Sequence, residues 1–180
     1  MSTIVHMTLI RAATTRDAEA CAAIYAPYVT DTAISFESEP PTAADMAGRI
    51  AASVERFAWL VAEDGDGRVV GYAYGAPFQA RPAYRWSCLV SVYLEPGRRR
   101  TGLGRALYAE LLERLAARGY RVAVAGITLP NEASEGLHRA MGFEPVGTYR
   151  RIGWKFDAWH DVAYCQRTLG AVGDPPVEVA

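Results

Sequence analysis

Residues 97–105, Gly-Arg-Arg-Arg-Thr-Gly-Leu-Gly-Arg, set four arginines and three glycines immediately ahead of an apolar helical stripe. These residue types suit an anion. Glycine lets the backbone come close to a ligand, the first N–H groups of a helix lack intrahelical acceptors, and the helix dipole adds positive potential there. Arginines 98–100 add charge-assisted donors at the rim. Two standard phosphate motifs do not fit. Gly97 and Gly102 have P-loop spacing, but Leu103 and Gly104 stand where that motif requires Lys and Ser or Thr. Gly102 and Gly104 begin a dinucleotide fingerprint, yet its third glycine would fall on Leu107. What is left is Arg99-x-x-Gly102-x-Gly104, following a strand and opening a helix, which could hold a pyrophosphate. The plainer alternative is a turn shaped by its glycines under a solvated arginine face.

The elements that must position this loop can be read from periodicity. Residues 7–13 predict a short strand, and Thr14 to Asp17 a helix cap whose apolar stripe is Ala18, Cys21, Ala22, Tyr25 and Tyr28. Thr42 to Asp45 caps a second helix carrying Met46, Ile50, Val54 and Phe57. Between them, "DTAISFESEPPT" is too rich in prolines and short polar residues for regular structure and is a candidate substrate loop. "AWLVAED" and "RVVGYAYGAPF" flank "GDG" as a hairpin. "SCLVSVYLEP" is apolar on both faces and predicts a central strand. The helix from Gly102 buries Leu103, Ala106, Leu107, Leu111 and Leu115; "RVAVAGI" is a strand, "NEASEGLHRAM" a short helix, and the segments near 146–154 and 159–169 the last two strands. The order is β-α-α-β-β-β-α-β-α-β-β, an α/β (α+β) fold with a mixed sheet covered by helices. A single domain is expected over 7–169, with 170–180 as a tail.

Composition narrows the partners. The chain has 180 residues, 51% of them hydrophobic, and a net charge of −1, which fits one folded domain with no global field for nucleic acid or an anionic membrane. Positive charge is almost wholly arginine, with Lys155 the single lysine. Cys21, Cys88 and Cys165 sit far apart in apolar contexts, and His6, His138 and His160 have no ligand spacing, so neither a disulfide framework nor a metal is expected. The N-terminal residues lack a basic, uninterrupted apolar signal, and a cytoplasmic location is expected.

With these elements in place, "VSVYLEPGRRRTGLGRAL" and "PNEASEGLHRAMGF" resemble the cofactor core of the GNAT N-acetyltransferases. "SFESEPPT", "YAYGAPFQARPAYRW" and "GLHRAMGFEPVGTYRRIGWKFDAWHDVAYCQ" are similar to the branch that acetylates phosphinothricin and methionine sulfoximine, over roughly residues 7–169. The resemblance implies acetyl-CoA as co-substrate and direct attack by a substrate amine, with both substrates bound together. The pantetheine arm would pair with Val92, Tyr93 and Leu94, and the pyrophosphate would lie on Arg99, Arg100, Thr101, Gly102, Leu103, Gly104 and Arg105. Asn131 would contact the cofactor or simply cap its helix. Backbone N–H groups around Leu94 would serve the oxyanion.

His138 takes the position where many members of the family carry a tyrosine acid, and it is read either as acid or relay or as an inert packed histidine. In the branch, a glutamate usually precedes the strand tyrosine, Tyr93 here, by four residues. This chain has Leu89 there. The base is then absent, moved to Glu37 or Glu39, or replaced by water. Phe36 and Glu37 with Arg81 and Tyr84 are candidates for the acceptor pocket, Arg81 being equally readable as surface. Trp154 and Trp159 are candidates for a subunit contact in a homodimer, with Trp159 expected in the core. The expected function is N-acetylation of a small amine, an amino acid or analogue. A protein N-terminus or another amine is the sibling reading, and a CoA-binding module without catalysis is the alternative from another class.

Overall fold

A computed structural model describes residues 8–98 and 101–170. The strands are β1 (Leu9–Ala12), β2 (Trp59–Glu63), β3 (Val69–Pro77), β4 (Ser87–Leu94), β5 (Val122–Thr128), β6 (Glu144–Lys155) and β7 (Ala158–Thr168). The helices are α1 (Ala18–Thr30), α2 (Ala43–Arg56), α3 (Leu103–Ala117) and α4 (Glu132–Ala140). Together they give the element order expected from the sequence. The sheet runs β1-β2-β3-β4-β5-β7-β6, so β4 is central as its two-sided apolar pattern requires. Among the described residues only the β4–β5 pair is parallel, and α3 is the crossover that joins it.

Both N-terminal caps form. Thr14 and Asp17 close a capping box around a 3-10 turn ahead of α1, and Thr42 accepts from the Asp45 N–H at 3.1 Å to open α2. Two cores lie on opposite faces of the sheet. One is built under α3, where Leu107, Leu111 and Leu115 have no exposed surface. Burying each of these contributes about 1.5–3 kcal/mol. The other lies beneath α1 and α2, with Cys21, Tyr25, Met46, Ile50, Trp59 and Tyr72. Alternation along β4 divides its side chains between the two: Cys88, Val90, Val92 and Leu94 go to the α3 face, and Tyr93 to the α1–α2 face. All three cysteines are buried free thiols.

Candidate active site

The site begins where the sheet stops being continuous. β4 pairs with β5 only through Ser87↔Val122, Cys88↔Ala123 and Leu89↔Val124. Past Leu89 the two strands part, although β4 runs on to Leu94 and β5 to Thr128. β4 keeps its other neighbour, β3, from Cys88 to Leu94, and β5 keeps β7 along its whole length. Val92, Tyr93 and Leu94 therefore offer one backbone edge that β5 does not use. An extended chain with its own carbonyls and N–H groups can pair there as a strand would.

At the end of that edge the glycine loop turns the chain into α3. Gly97 and Gly102 both have left-handed backbone, φ 88° and 82°, which side-chain-bearing residues rarely adopt. Gly102 is the N-cap of α3 and a Cβ on it would meet nothing within 4 Å. The helical ladder starts with the Ala106 N–H donating to the Gly102 carbonyl at 3.0 Å, so the N–H groups of Leu103, Gly104 and Arg105 precede the first intrahelical bond. Leu103 and Gly104 are buried while Thr101 and Arg105 are exposed. These residues fit a diphosphate. Arg98 does not act as the free rim cation expected of it: its guanidinium lies 3.1 Å from Asp64 and 3.4 Å from Glu95, tying the loop to the β2–β3 turn. Arg99 and Arg100 lie outside the described residues.

Beside the parted strands stands a side chain that sequence patterning assigned only to the α1 stripe. The Tyr28 hydroxyl donates to the Leu94 carbonyl at 2.7 Å and accepts from the Leu94 N–H at 3.4 Å. It thus reaches the very N–H expected to serve an oxyanion. Helical periodicity carried no signal for this, because the two residues are 66 apart.

Leu89 is half-buried on the same face of β4 as Tyr93, and Val124 stands beside it on β5. The segment between α1 and α2 meets the far end of β5, where the Thr128 hydroxyl donates to the Ile34 carbonyl at 3.4 Å. It carries Phe36 and Glu37. The structure gives Glu37 a different condition from that of a relocated base. Arg49 grips its carboxylate with two hydrogen bonds of 2.8 and 2.9 Å and the Tyr25 hydroxyl donates at 3.0 Å. The Arg49 bonds foremost hold its pKa below the ordinary carboxylate value. Such a group remains an anion and takes up a proton poorly. Arg81 and Tyr84 are exposed on the β3–β4 connection, and the Tyr84 ring meets Phe78 edge-on at 5.5 Å. Arg81, with Arg56 and Arg85, lines a cavity of 680 Å³.

On α4, His138 is buried and both its ring nitrogens are engaged. Nδ1 lies 2.8 Å from the Ser134 carbonyl, which places the ring proton on Nδ1, and Nε2 then accepts from the Tyr108 hydroxyl at 3.0 Å. Burial lowers its pKa from the usual 6.5. This is the environment of a neutral, structural imidazole. Because the folded pKa lies below the unfolded one, the group's contribution to stability is full above pH 6.5 and declines as the pH falls towards the folded value. Denaturant titrations at stepped pH should accordingly show a shallower acid loss of stability for His138→Gln than for the wild type below pH 6.5; equal slopes would remove His138 from that role. Asn131 is the N-cap of α4, its side chain accepting from the Ser134 N–H at 3.2 Å.

With this geometry in view, the proteins that the chain is similar to are acetyltransferases. Residues 10–163 match the family described as acetyltransferase (GNAT) domain, and the chain belongs to it. Within that family it is 40% identical over 166 residues to a phosphinothricin N-acetyltransferase of Streptomyces viridochromogenes, covering 92% of this chain and 90% of that protein. An L-methionine sulfoximine/L-methionine sulfone acetyltransferase of Pseudomonas aeruginosa is 35% identical over 171 residues, covering 93% and 98%. Among solved structures, a GNAT superfamily phosphinothricin acetyltransferase from Sinorhizobium meliloti in complex with AcCoA superposes with a TM-score of 0.91 at 37% identity, covering 95% of this chain and 94% of that one.

Proposed function

We propose that this protein transfers the acetyl group of acetyl-CoA to the primary amine of a small molecule, an amino acid or amino-acid analogue of the phosphinothricin or methionine sulfoximine kind. The observation that carries the reading is the departure of β4 from β5 after Leu89, leading directly to the left-handed Gly102 at the start of α3. That path suits a pantetheine arm followed by a diphosphate. The names and close structural likeness of the relatives support it.

In the proposed reaction, both substrates are bound together and the neutral amine nitrogen attacks the thioester carbonyl. A C–N bond forms, the C–S bond breaks, and the proton shed by nitrogen reaches the departing thiolate through water. A thiol of pKa near about 8.5 leaves without a strong acid. The Leu94 N–H, which donates to the Tyr28 hydroxyl here, would serve the charge that develops on the carbonyl oxygen once that hydroxyl gives it up to the bound thioester. Glu37, kept anionic by Arg49, suits holding an ammonium group rather than deprotonating one. Val92, Tyr93, Leu94, Thr101, Gly102, Leu103, Gly104, Arg105 and Asn131 are proposed for the cofactor, and Phe36, Arg81, Tyr84 and Leu89 for the acceptor. Purified protein incubated with acetyl-CoA and a panel of amino acids, their analogues, polyamines and N-terminal peptides tests this by thiol release. Release with an amino acid or analogue is the expected result. Tight CoA binding with no release on any amine would favour the second reading, a CoA-binding module without turnover, which Leu89 and the fully engaged His138 support.

The same reading includes a homodimer in the cytoplasm, the latter supported by three buried, reduced thiols. No helix among the described residues is long and apolar enough to cross a membrane. Contrary to the core position expected for Trp159, its side chain is 50% exposed, as are Tyr149, Ile152, Trp154 and Phe156 to a similar or greater extent along the edge hairpin β6–β7. A long apolar edge strand left bare invites another chain, and a second copy is the occupant proposed. Sedimentation at micromolar concentration should show a dimer for the wild type and a monomer for Trp154→Asp/Ile152→Lys; a monomeric wild type rules the dimer out.

A further inference from the structure

The chain's single lysine lies at the end of β6, and its ammonium is wholly committed. Lys155 Nζ donates to the carbonyls of Val29 and Ser35, each at 2.6 Å, and of Glu37 at 3.0 Å. An ammonium has three N–H donors, so this set uses all of them. Two of the three acceptors flank Phe36 in the segment between α1 and α2, and the third lies in the last turn of α1 from which that segment departs. The hairpin is shaped for the reach. β6 slips register against β7 between Tyr149 and Gly153, and inside that slip Arg151 adopts φ 51° while its N–H donates to the Asp161 carboxylate at 2.7 Å. A bulge of this kind re-aims the strand beyond it. Two residues on, Gly153 lies against the Phe36 ring, where any Cβ would collide with the ring, and His160 across the hairpin approaches that ring with centroids 6.1 Å apart. Glu37 is then fixed from its other end by Arg49 and Tyr25.

From this geometry we propose that Lys155 is a positioning residue for the acceptor: its ammonium clamps the 31–42 segment onto the β6–β7 hairpin and so sets Phe36 and the Glu37 carboxylate where the amine substrate is held. The inference rests on the acetyltransferase reading and adds to it a residue that touches neither substrate. It follows that loosening the clamp should weaken the acceptor far more than the cofactor, because two of the three Lys155 hydrogen bonds fix the segment that carries Phe36 and Glu37 and none is made to the β4 edge or the Gly102 loop. Arginine keeps the charge, but its planar fork matches a planar acceptor better than three carbonyls gathered around one point.

Steady-state kinetics on Lys155→Met, Lys155→Arg and Lys155→Cys test the clamp. For Lys155→Met the acceptor KM should rise about tenfold or more, the loss expected when a binding group shifts by about an ångström, with the acetyl-CoA KM within about twofold of wild type. Lys155→Arg should fold and fall between the two. Alkylating Lys155→Cys with 2-bromoethylamine rebuilds an ammonium of lysine's length while the three native thiols stay buried, and it should restore the acceptor KM. An unchanged acceptor KM in Lys155→Met and Lys155→Arg, an equal rise in both KM values, or alkylation that restores nothing overturns the proposal. Should Lys155→Met not fold, the Lys155→Arg values and the alkylation result decide alone. A wild type that releases thiol with no amine defeats the acetyltransferase reading instead, so the two failures are distinct.

Discussion

Gly102→Val is expected to raise the acetyl-CoA KM about 10–100-fold while leaving kcat at saturation within a few-fold. The φ of 82° at this N-cap is one that a β-branched residue resists, so the substitution either strains the loop or rotates the N–H groups of the first α3 turn away from a bound diphosphate. A hydrogen bond to a charged group is worth about 1.5–3 kcal/mol, and losing one accounts for a change of that size. Gly104→Ala makes the useful contrast. A Cβ there would sit 3.5 Å from Leu137 and 3.7 Å from Leu94, ordinary contacts, and its backbone is already helical, so its effect should be the smaller. Initial rates across an acetyl-CoA series, backed by calorimetry with CoA, provide the measurement. An unaltered cofactor affinity in Gly102→Val would reject the loop as the diphosphate site.

Leu89→Glu should change how the rate depends on pH. In the wild type no carboxylate stands at Leu89 and Glu37 is held anionic by Arg49, so an ammonium held there must lose its proton to water before the nitrogen attacks. The log of kcat/KM is then expected to climb with unit slope up to the acceptor's own ammonium pKa. A carboxylate introduced at position 89, on the face of β4 that Tyr93 shares, would take that proton near the site and flatten the climb at lower pH. A well-placed base contributes roughly 10²–10⁴-fold, and about tenfold at neutral pH is the reasonable expectation for one added to an existing pocket. Superimposable pH profiles for the two proteins would show that protons leave by a route that does not pass position 89.

Much of the fold was legible because it is written in local periodicity. The two Thr-x-x-Asp caps, the glycine-centred β2–β3 turn, the two-sided apolar run of β4 and the leucine stripe of α3 each specify their element within a dozen residues. The glycine loop was legible for the same reason. What stayed hidden depends on partners distant in sequence. Tyr28 meets Leu94 across 66 residues and Lys155 meets Val29 across 126, and no spacing rule connects them. Glu37 was singled out correctly as a residue of the loop between α1 and α2, yet the arginine that fixes its charge belongs to the next helix. Trp159 was misplaced because an apolar residue on a strand carries the same pattern whether its face is covered by a helix or left at the sheet's edge.

The three residue pairs that alone join β4 to β5 make the sheet two blades with a short common root. A cofactor lying between the blades would restore the missing ladder, so folding and occupancy are thermodynamically linked, and free coenzyme at a hundred times its dissociation constant would add about 2.7 kcal/mol to the folded state. In a cell depleted of CoA the protein would then be more exposed to proteolysis, and its abundance would follow the supply of the metabolite it consumes.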